Sequence, residues 1–280
     1  MYKRQASIFV SVLGRLTRGQ LASFAGYLAY AFVAVIIGYL IAFALVRIMK
    51  IRPGRKGIFI NAIVNANTIF IGLPLNMALF GEKSMTYFLV YYVVNTVSTW
   101  AFGVFLISND DPTKPKEKTH NKIDWKKVIP MPLVGFLVAL VFLLLDVNPT
   151  KISFIGSTLT YVGNLVTPLS LIYIGIVLAD AGLKSIRFDR DTIVALIGRF
   201  ILSPVVMILV LMAVGNMGVS MPTLASQTLI VQSATPMLAV LPILANEAHG
   251  DVEYATNIVT TSTVLFIVVV PVLMTLIQYI

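Results

Sequence analysis

Long apolar segments separated by short polar ones dominate the pattern of this chain. Eight segments are apolar over about the 20 residues that a helix needs to cross a bilayer. They cover residues 22–49, 58–80, 84–108, 128–146, 156–180, 191–214, 222–246 and 254–279. Glycine or proline punctuates many of the segment ends, as at Pro53 and Gly54. The pattern therefore predicts an all-α polytopic membrane protein with eight spans.

Two of these apolar segments are interrupted in their middle by proline beside polar residues. The segment at 57–81 contains Pro74, and the segment at 223–247 contains Pro236 and Pro242. Hydrocarbon offers no hydrogen-bond partner, so a helix broken at membrane depth survives only where it is buried or faces a polar cavity. Matching breaks in two halves of one chain are typical of a transporter binding site.

Composition supports the membrane assignment and narrows the chemistry. The chain is 58% hydrophobic and 12% charged, with a mean hydropathy of +0.90, far from the composition of a soluble domain. It has no cysteine, which excludes disulfides and thiolate metal sites, and its two histidines lie in polar connections. We therefore expect no cofactor. The net charge of +9 does not indicate a nucleic-acid partner, because the basic residues flank spans and meet the lipid bilayer.

Charge in the connections predicts the orientation. Fourteen of the 21 Lys and Arg residues lie in the connections on one side, six lie on the other side, and Arg199 lies inside a span. The first side holds the connections 47–57, 108–127, 180–190 and 246–253. By the positive-inside rule this side is cytoplasmic, which predicts a multi-pass protein of the inner (plasma) membrane with its C-terminus outside.

The distribution of spans predicts two unequal halves joined by a linker. Residues 108–127 are charged and poor in apolar residues, as in a flexible linker. Residues 128–280 hold five spans, whereas residues 1–107 hold three and an apolar remnant at 6–13. An inverted repeat of five plus five would need two more helices before residue 22. We interpret 6–13 as the end of a helix whose start is absent; a short interfacial segment is the alternative.

An internal similarity supports the repeat. Residues 72–81, followed by a span containing 94–99, resemble residues 240–250, followed by a span containing 259–264. Each unit is a broken helix, a short polar turn and a helix with a cluster of hydroxyl and amide side chains. These clusters comprise Asn95, Thr96, Ser98 and Thr99 in the first unit and Thr260, Thr261, Ser262 and Thr263 in the second. Three roles stay open for these clusters: they line a transport pathway, they coordinate a small cation, or they only form hydrogen bonds to their own helix.

Four of these stretches are similar to a known family. Residues 65–75, NANTIFIGLPL, resemble the fourth-helix motif of the auxin efflux carrier family, which includes bacterial malate and malonate permeases. Residues 167–175, TPLSLIYIG, resemble its seventh helix. The stretch with Pro236 and Pro242 resembles its ninth, and residues 251–263 resemble the entry to its tenth. The similarity runs from about residue 7 to the end of the chain.

The resemblance implies an inverted-repeat transporter fold with ten helices, two of them crossed and broken, and both termini outside. This chain would hold eight of the ten. It implies a secondary transporter of small organic anions, such as dicarboxylates, that works by alternating access. A second copy of the chain, in a homodimer, is a further candidate partner. Proton, sodium or membrane-potential coupling all stay open. The alternatives are a non-transporting receptor or an inactive truncated carrier. An intramembrane protease is not indicated, because the chain has neither His-Glu-x-x-His nor paired mid-span aspartates.

The polar residues at the two breaks are the candidate substrate-binding residues. They are Asn65, Asn67, Thr68 and Pro74 in the first break and Gln232, Ser233, Thr235, Pro236 and Pro242 in the second. Half-helix N-termini carry partial positive charge, which suits a carboxylate, and carbonyls at the other ends suit a cation or a hydroxyl. The alternative is that the amides only satisfy carbonyls at the kinks or join helices. Asn67 and Gln232 are the strongest candidates.

Arg199 is the remaining candidate and lies about eight residues into its span. An intramembrane arginine is costly enough that it usually faces an interior, where it could neutralise a substrate carboxylate with two hydrogen bonds. Equally, its long side chain could reach back to the cytoplasmic surface.

Overall fold

The described part of the protein is helical throughout. A computed structural model describes residues 21–113, 131–145, 147–165 and 186–279, with scattered positions between 168 and 179. Each of the eight predicted spans contains helix among its described residues, and within them one isolated bridge, between Ala66 and Met237, is the only strand-like pairing. The prediction of an all-α polytopic membrane protein is confirmed. Residues 6–13, most of the linker 108–127, and Thr167 lie outside the described residues, and the division into halves stays a prediction.

The first half contains five α-helices between residues 21 and 113, where it is described. They are α1 Leu21–Met49, α2 Lys56–Val64, α3 Leu73–Phe80, α4 Met85–Val97 and α5 Val104–Asn109. A π-helical turn at Thr68–Gly72 leads directly into α3, and a second one at Ser98–Gly103 joins α4 to α5.

The second half contains seven helices among its described residues. They are α6 Met131–Leu144, α7 Ser153–Asn164, α8 Arg190–Ile197, α9 Ser203–Asn216, α10 Thr223–Ser233, α11 Leu241–Glu247 and α12 Val252–Leu276. A π-helical turn at Gly198–Leu202 makes α8 and α9 one continuous helix. In the part of the chain that the structure describes, four uninterrupted helices are long and apolar enough to cross a membrane: Phe24–Met49, Glu82–Asn109, Arg190–Asn216 and Val252–Leu276.

The two broken helices lie at the centre of one bundle. Helix α1 packs on α2, α4 and α9, while α10 packs on α4 and α9, and α12 packs on α8 and α11. Every residue of α2 after Lys56 is buried, as is the last half of α10. A helix that is apolar on all sides is buried on all sides. The long helices therefore enclose the breaks and present their own outer faces to lipid.

The sequence pattern places the first break at Pro74, but in the structure the break lies at residues 65–67. Helix α2 ends at Val64, Asn65 is extended with φ −99° and ψ 129°, and the chain is helical again from Thr68. Pro74 lies in the first turn of α3. The preceding π-helical turn, in which Gly72 pairs with the carbonyl of Asn67, already departs from regular α-helical pairing there. The missing N–H of proline therefore costs little.

The second break follows the prediction more closely. Residues 234–240 separate α10 from α11, and Pro236 lies within them. Pro242, like Pro74, lies in the first turn of the helix that follows the break. One of the three prolines thus lies at a break, and the other two begin the outgoing half-helices.

Arg55 gathers several connections at one end of the bundle. Its Nε lies 2.6 Å from Asp251, and its Nη1 lies 3.1 Å from Asp189 and 3.2 Å from Asp191. The guanidinium also stacks 4.4 Å above the centre of the Tyr254 ring. The connections before α2, α8 and α12 therefore lie together, in keeping with the predicted grouping of the basic connections on one side.

Asp251 serves two helices at this end. Its backbone N–H donates to Gly54 O at 3.0 Å, and its carboxylate accepts from the N–H of Tyr254, so that it begins α12. Partial burial by itself would raise the pKa of Asp251. The N–H of Tyr254 and the guanidinium groups of Arg55 and Arg52 nevertheless hold this pKa below its ordinary value.

Replacing Asp251→Asn tests the charge of this residue, because an amide still accepts from the helix N–H. We expect the thermal midpoint at pH 7 to fall by roughly 2–4 °C, corresponding to about 1 kcal/mol. Since the folded-state pKa lies below its ordinary value of 3.8, this contribution is present above 3.8 and disappears as the pH falls below it. Glu253→Gln, which removes an exposed ion pair, is the control and should shift nothing. A pH-independent difference would contradict the assignment.

Close contact between α2 and α5 depends on Gly57. A Cβ at this position would lie 2.6 Å from Ile107 Cα and 2.7 Å from Leu106 O, both backbone atoms that cannot move aside. Gly57→Ala should therefore destabilise the protein by about 1–3 kcal/mol, measured as a lower thermal midpoint in detergent. Gly215→Ala in α9, where an added Cβ meets nothing within 4 Å, is the control and should be neutral or slightly stabilising. Equal midpoints for both variants would disprove the contact.

Candidate functional site

The two breaks cross each other at the centre of the bundle. The N–H of Asn67 donates to Pro236 O at 2.8 Å, and Ala66 bridges Met237 in antiparallel fashion. Helices α2 and α10 enter the crossing with their C-termini, while α11 and the helix that begins at Thr68 leave it. The crossing therefore brings together two negative and two positive helix ends. The crossed broken helices that the sequence analysis predicted are present.

Each of the two bridge residues, Ala66 and Met237, is held by a side chain from the long helix that comes directly after its own broken helix. Asn95 on α4 accepts from Ala66 N at 2.7 Å and donates to Ala66 O at 3.0 Å, so that its amide replaces a neighbouring strand. Ser262 on α12 accepts from Met237 N at 3.2 Å and donates to Val259 O at 3.0 Å. The two polar clusters found in the sequence thus contribute one anchor each, a role that the cluster pattern alone did not indicate.

Asn65 is fully engaged inside the protein. Its Nδ2 donates to Tyr39 OH at 3.0 Å and to Asn61 Oδ1 at 2.7 Å, and its Oδ1 accepts from Ser98 Oγ at 2.7 Å. All four side chains are buried. This network ties the end of α2 to α1 and to the π-helical turn after α4. Tyr39 was not singled out in the sequence; Asn61 has a recognisable signal, an amide one helical turn before Asn65.

Asn67 caps the helix that leaves the first break. Its Oδ1 accepts from Phe70 N at 3.2 Å, and its backbone carbonyl accepts from Gly72 N at 2.9 Å. Its Nδ2 donates no hydrogen bond within the described part of the chain. Thr68 lies beside it, with Oγ1 at 3.5 Å from Asn95 Nδ2. Asn67 therefore combines a structural oxygen with an available amide donor.

Gln232 reaches the same glycine from the second break. It is fully buried, and its Nε2 donates to Gly72 O at 3.0 Å. Its Oε1 is buried without a hydrogen-bond partner among the described residues, and a Cβ at Gly72 would overlap this oxygen. Both residues that the sequence analysis ranked first thus contact Gly72, Gln232 through its side-chain amide and Asn67 through its backbone carbonyl. One offers a donor and the other an acceptor.

Ser233 and Thr235 contribute backbone carbonyls rather than hydroxyls. The Ser233 hydroxyl donates to Ile230 O at 2.7 Å, and the Thr235 hydroxyl donates to Gln232 O at 2.9 Å, so both hydroxyls are used within the last turn of α10. Their carbonyls point to Arg199 instead. The sequence correctly located these residues at the break but did not distinguish the two kinds of oxygen.

Arg199 lies in the interior and binds three backbone carbonyls. Its Nε donates to Thr235 O at 2.7 Å, its Nη1 donates to Ile63 O at 3.0 Å, and its Nη2 donates to Ser233 O. The side chain is completely buried, so the alternative in which it reaches the surface does not occur. Ser203, one turn further along, also donates to Ile63 O, at 2.8 Å. One guanidinium therefore joins the C-terminal ends of both incoming half-helices.

Comparison with known proteins relates most of the chain to membrane transport. Residues 6–274 match the family described as membrane transport protein. An uncharacterized transporter of Methanocaldococcus jannaschii is 25% identical over 267 residues, which cover 94% of this chain and 83% of that protein. An uncharacterized transporter of Methanothermobacter thermautotrophicus is 26% identical over 208 residues, which cover 73% of this chain and 63% of that protein.

The anchoring role of Asn95 gives a stability prediction. Asn95→Ala leaves the buried N–H of Ala66 unpaired, at a cost of about 1–3 kcal/mol, and removes one of the two donors to Ala66 O, which keeps the N–H of Thr68. We expect a clearly lower thermal midpoint in detergent. Thr96→Ala, at the neighbouring position of the same buried helix, is the matched control with a smaller expected effect. If the two variants are equally stable, Asn95 does not hold the break.

Proposed function

The chain belongs to the membrane transport protein family, and on that premise we propose that it is a secondary transporter of a small organic anion, such as a mono- or dicarboxylate, working by alternating access. It is a membrane transporter rather than an enzyme. The proposed substrate site is the crossing of the two broken helices. The observation that carries the proposal is that Asn67 and Gln232, on opposite halves of the chain, both contact Gly72, Asn67 through its backbone carbonyl and Gln232 through its side chain. The Asn67 amide keeps an available donor and the Gln232 amide an unpaired acceptor.

A carboxylate fits the first half of this site. The apolar helix Thr68–Phe80 begins at the crossing, and the partial positive charge of its N-terminus favours a bound anion, although the N–H groups of Thr68 and Phe70 already have partners. The free Nδ2 of Asn67 lies at that helix end and adds a side-chain donor. Hydrogen bonds to a carboxylate are among the stronger ones that a protein makes.

A hydroxyl group fits the second half of the site. The Oε1 of Gln232 accepts no hydrogen bond among the described residues, and an unsatisfied buried acceptor costs about 1–3 kcal/mol. A substrate hydroxyl, or the O–H of a protonated carboxyl group, would remove that cost. A hydroxy acid presents both groups at once, which favours substrates of the malate type over simple inorganic anions.

In this proposal Arg199 does not contact the substrate and instead influences its binding through its positive charge. Three of its donors already bind carbonyls at the ends of α2 and α10. Its charge offsets the negative ends of these two helices and leaves the positive ends of the outgoing helices dominant at the crossing. An anion is thereby favoured without a salt bridge that would hold it too tightly for release.

The charged end of the bundle supports the proposed orientation. The Arg55 cluster lies on the side that carries most of the basic connections. We assign that side to the cytoplasm and the C-terminus to the outside of the plasma membrane.

Substitutions at the two amides test the site directly. Asn67→Ala and Gln232→Ala each remove hydrogen bonds to a charged or strongly polar ligand, which contribute about 1.5–3 kcal/mol. Affinity should fall roughly ten- to a hundredfold, at about 1.4 kcal/mol per decade. The measurements are thermal stabilisation of the purified protein by a panel of mono- and dicarboxylates, and counterflow of labelled malate in proteoliposomes.

Gln227→Ala is the matched control for this test. Gln227 lies on α10 more than one turn before the break, so its loss should leave affinity unchanged. Stabilisation of the parent protein only by neutral sugars or cationic amines would contradict the anion assignment. Parent-like affinity in both amide variants would move the site away from the crossing.

A further inference from the structure

The carbonyls at the ends of α2 and α10 form a cluster with the chemistry of a cation site. Ile63 O, Ser233 O and Thr235 O all accept from the same guanidinium, so they converge on one small region. Each lies in or just beyond the last turn of a half-helix, where carbonyls lack intrahelical partners and carry partial negative charge. Hard cations take such oxygens as ligands, and broken helices in transporters use them to hold sodium.

We propose that Arg199 is a tethered cation that permanently fills this site, so that the crossing binds no inorganic cation and the carrier cycles without sodium there. An arginine side chain does not lose its proton in proteins. None of the hydrogen bonds that Arg199 makes to other described residues in this cluster goes to a carboxylate. Its charge faces helix ends and the side chain of Tyr91.

A single guanidinium serves both halves of the chain. Its Nη1 binds the end of α2, whereas Nε and Nη2 bind the end of α10. Helix α1 precedes the first broken helix as α8 and α9 precede the second, yet residues 21–46 carry no charged side chain. The planar fork of arginine, with five N–H donors, can span two helix ends where the three donors of a lysine on one atom cannot.

The consequence concerns the coupling ion and holds whichever anion is carried. A removable cation at the crossing would make binding and transport depend on its concentration. A covalently attached one keeps the electrostatics of the crossing constant through the cycle, so that sodium binding at the crossing is not the step that drives transport. The position is fixed by Gly198 as well, because a Cβ there would lie 2.7 Å from Ile63 Cγ1 and push α8 away from α2.

Thermal unfolding of the full chain in detergent tests the proposal without any substrate. We expect the parent protein to have the same midpoint in sodium, potassium and choline chloride at equal ionic strength. Arg199→Ala removes the guanidinium from all three carbonyls, of which Ile63 O keeps the Ser203 hydroxyl as a partner, and should lower the midpoint by roughly 10 °C. Methylguanidinium or sodium should then restore much of this loss in a saturable manner. Arg47→Ala, which removes an exposed arginine near the end of α1, should show neither the loss nor the rescue.

Two further variants test the proposal if the Arg199→Ala protein does not fold. Arg199→Lys keeps the positive charge, and Arg199→Met keeps much of the volume without it. We expect Arg199→Lys to be the more stable variant, with sodium stabilising only Arg199→Met. Equal midpoints, or equal stabilisation of both by sodium, would overturn the proposal.

Two other results would also overturn it: a saturable, sodium-specific rise in the midpoint of the parent protein, and an Arg199→Ala protein that folds but responds to neither cation. These readouts do not involve the transported anion. A negative result here would therefore not affect the proposed carboxylate substrate, which the uptake and affinity measurements test separately.

Discussion

Backbone groups released where α2 and α10 stop must find partners within the protein, because the hydrocarbon around them supplies none. The rest of the described structure is arranged to meet this requirement. Asn95 pairs both backbone groups of Ala66, Ser262 accepts from Met237 N, and Pro236 O accepts from Asn67 N. Each partner arrives on a different segment. The long helices must therefore pack around the crossing in one register for the breaks to be tolerated at all.

The strongest of these partners is a buried charge. Placing an arginine at membrane depth is costly, and this cost is offset only where the guanidinium is fully hydrogen-bonded and faces opposing partial charges. Arg199 donates three hydrogen bonds to backbone carbonyls, and the two helix C-termini that converge on it supply the opposing partial charges. The same contacts that stabilise the fold also determine the electrostatics of the proposed substrate site.

The polar residues at the crossing divide into those that are used up by the fold and those that are left available. Both ends of the Asn65 side-chain amide are hydrogen-bonded, the nitrogen to Tyr39 and Asn61 and the oxygen to Ser98. Asn67 retains a donor and Gln232 an acceptor. The proposed substrate chemistry follows from this division rather than from the number of polar residues near the breaks.

The sequence by itself determined the all-α membrane class, the positions of the eight apolar segments, and the two segments that are broken. These properties follow from hydropathy and from proline chemistry, which are local. It did not locate the first break correctly, because Pro74 begins a half-helix, whereas the break at 65–67 is stabilised by Asn95, 29 residues away from Ala66.

Only the tertiary structure decided which polar groups are satisfied and which are free. The deciding contacts join Arg199 to Ile63 across 136 residues and Gln232 to Gly72 across 160. The local pattern placed Asn65, Asn67 and Gln232 together as candidates and ranked Asn67 and Gln232 first, but it did not show which of their polar atoms are free. Their different roles arise from partners on other helices, and helix packing, which no local pattern encodes, brings those partners within hydrogen-bond distance.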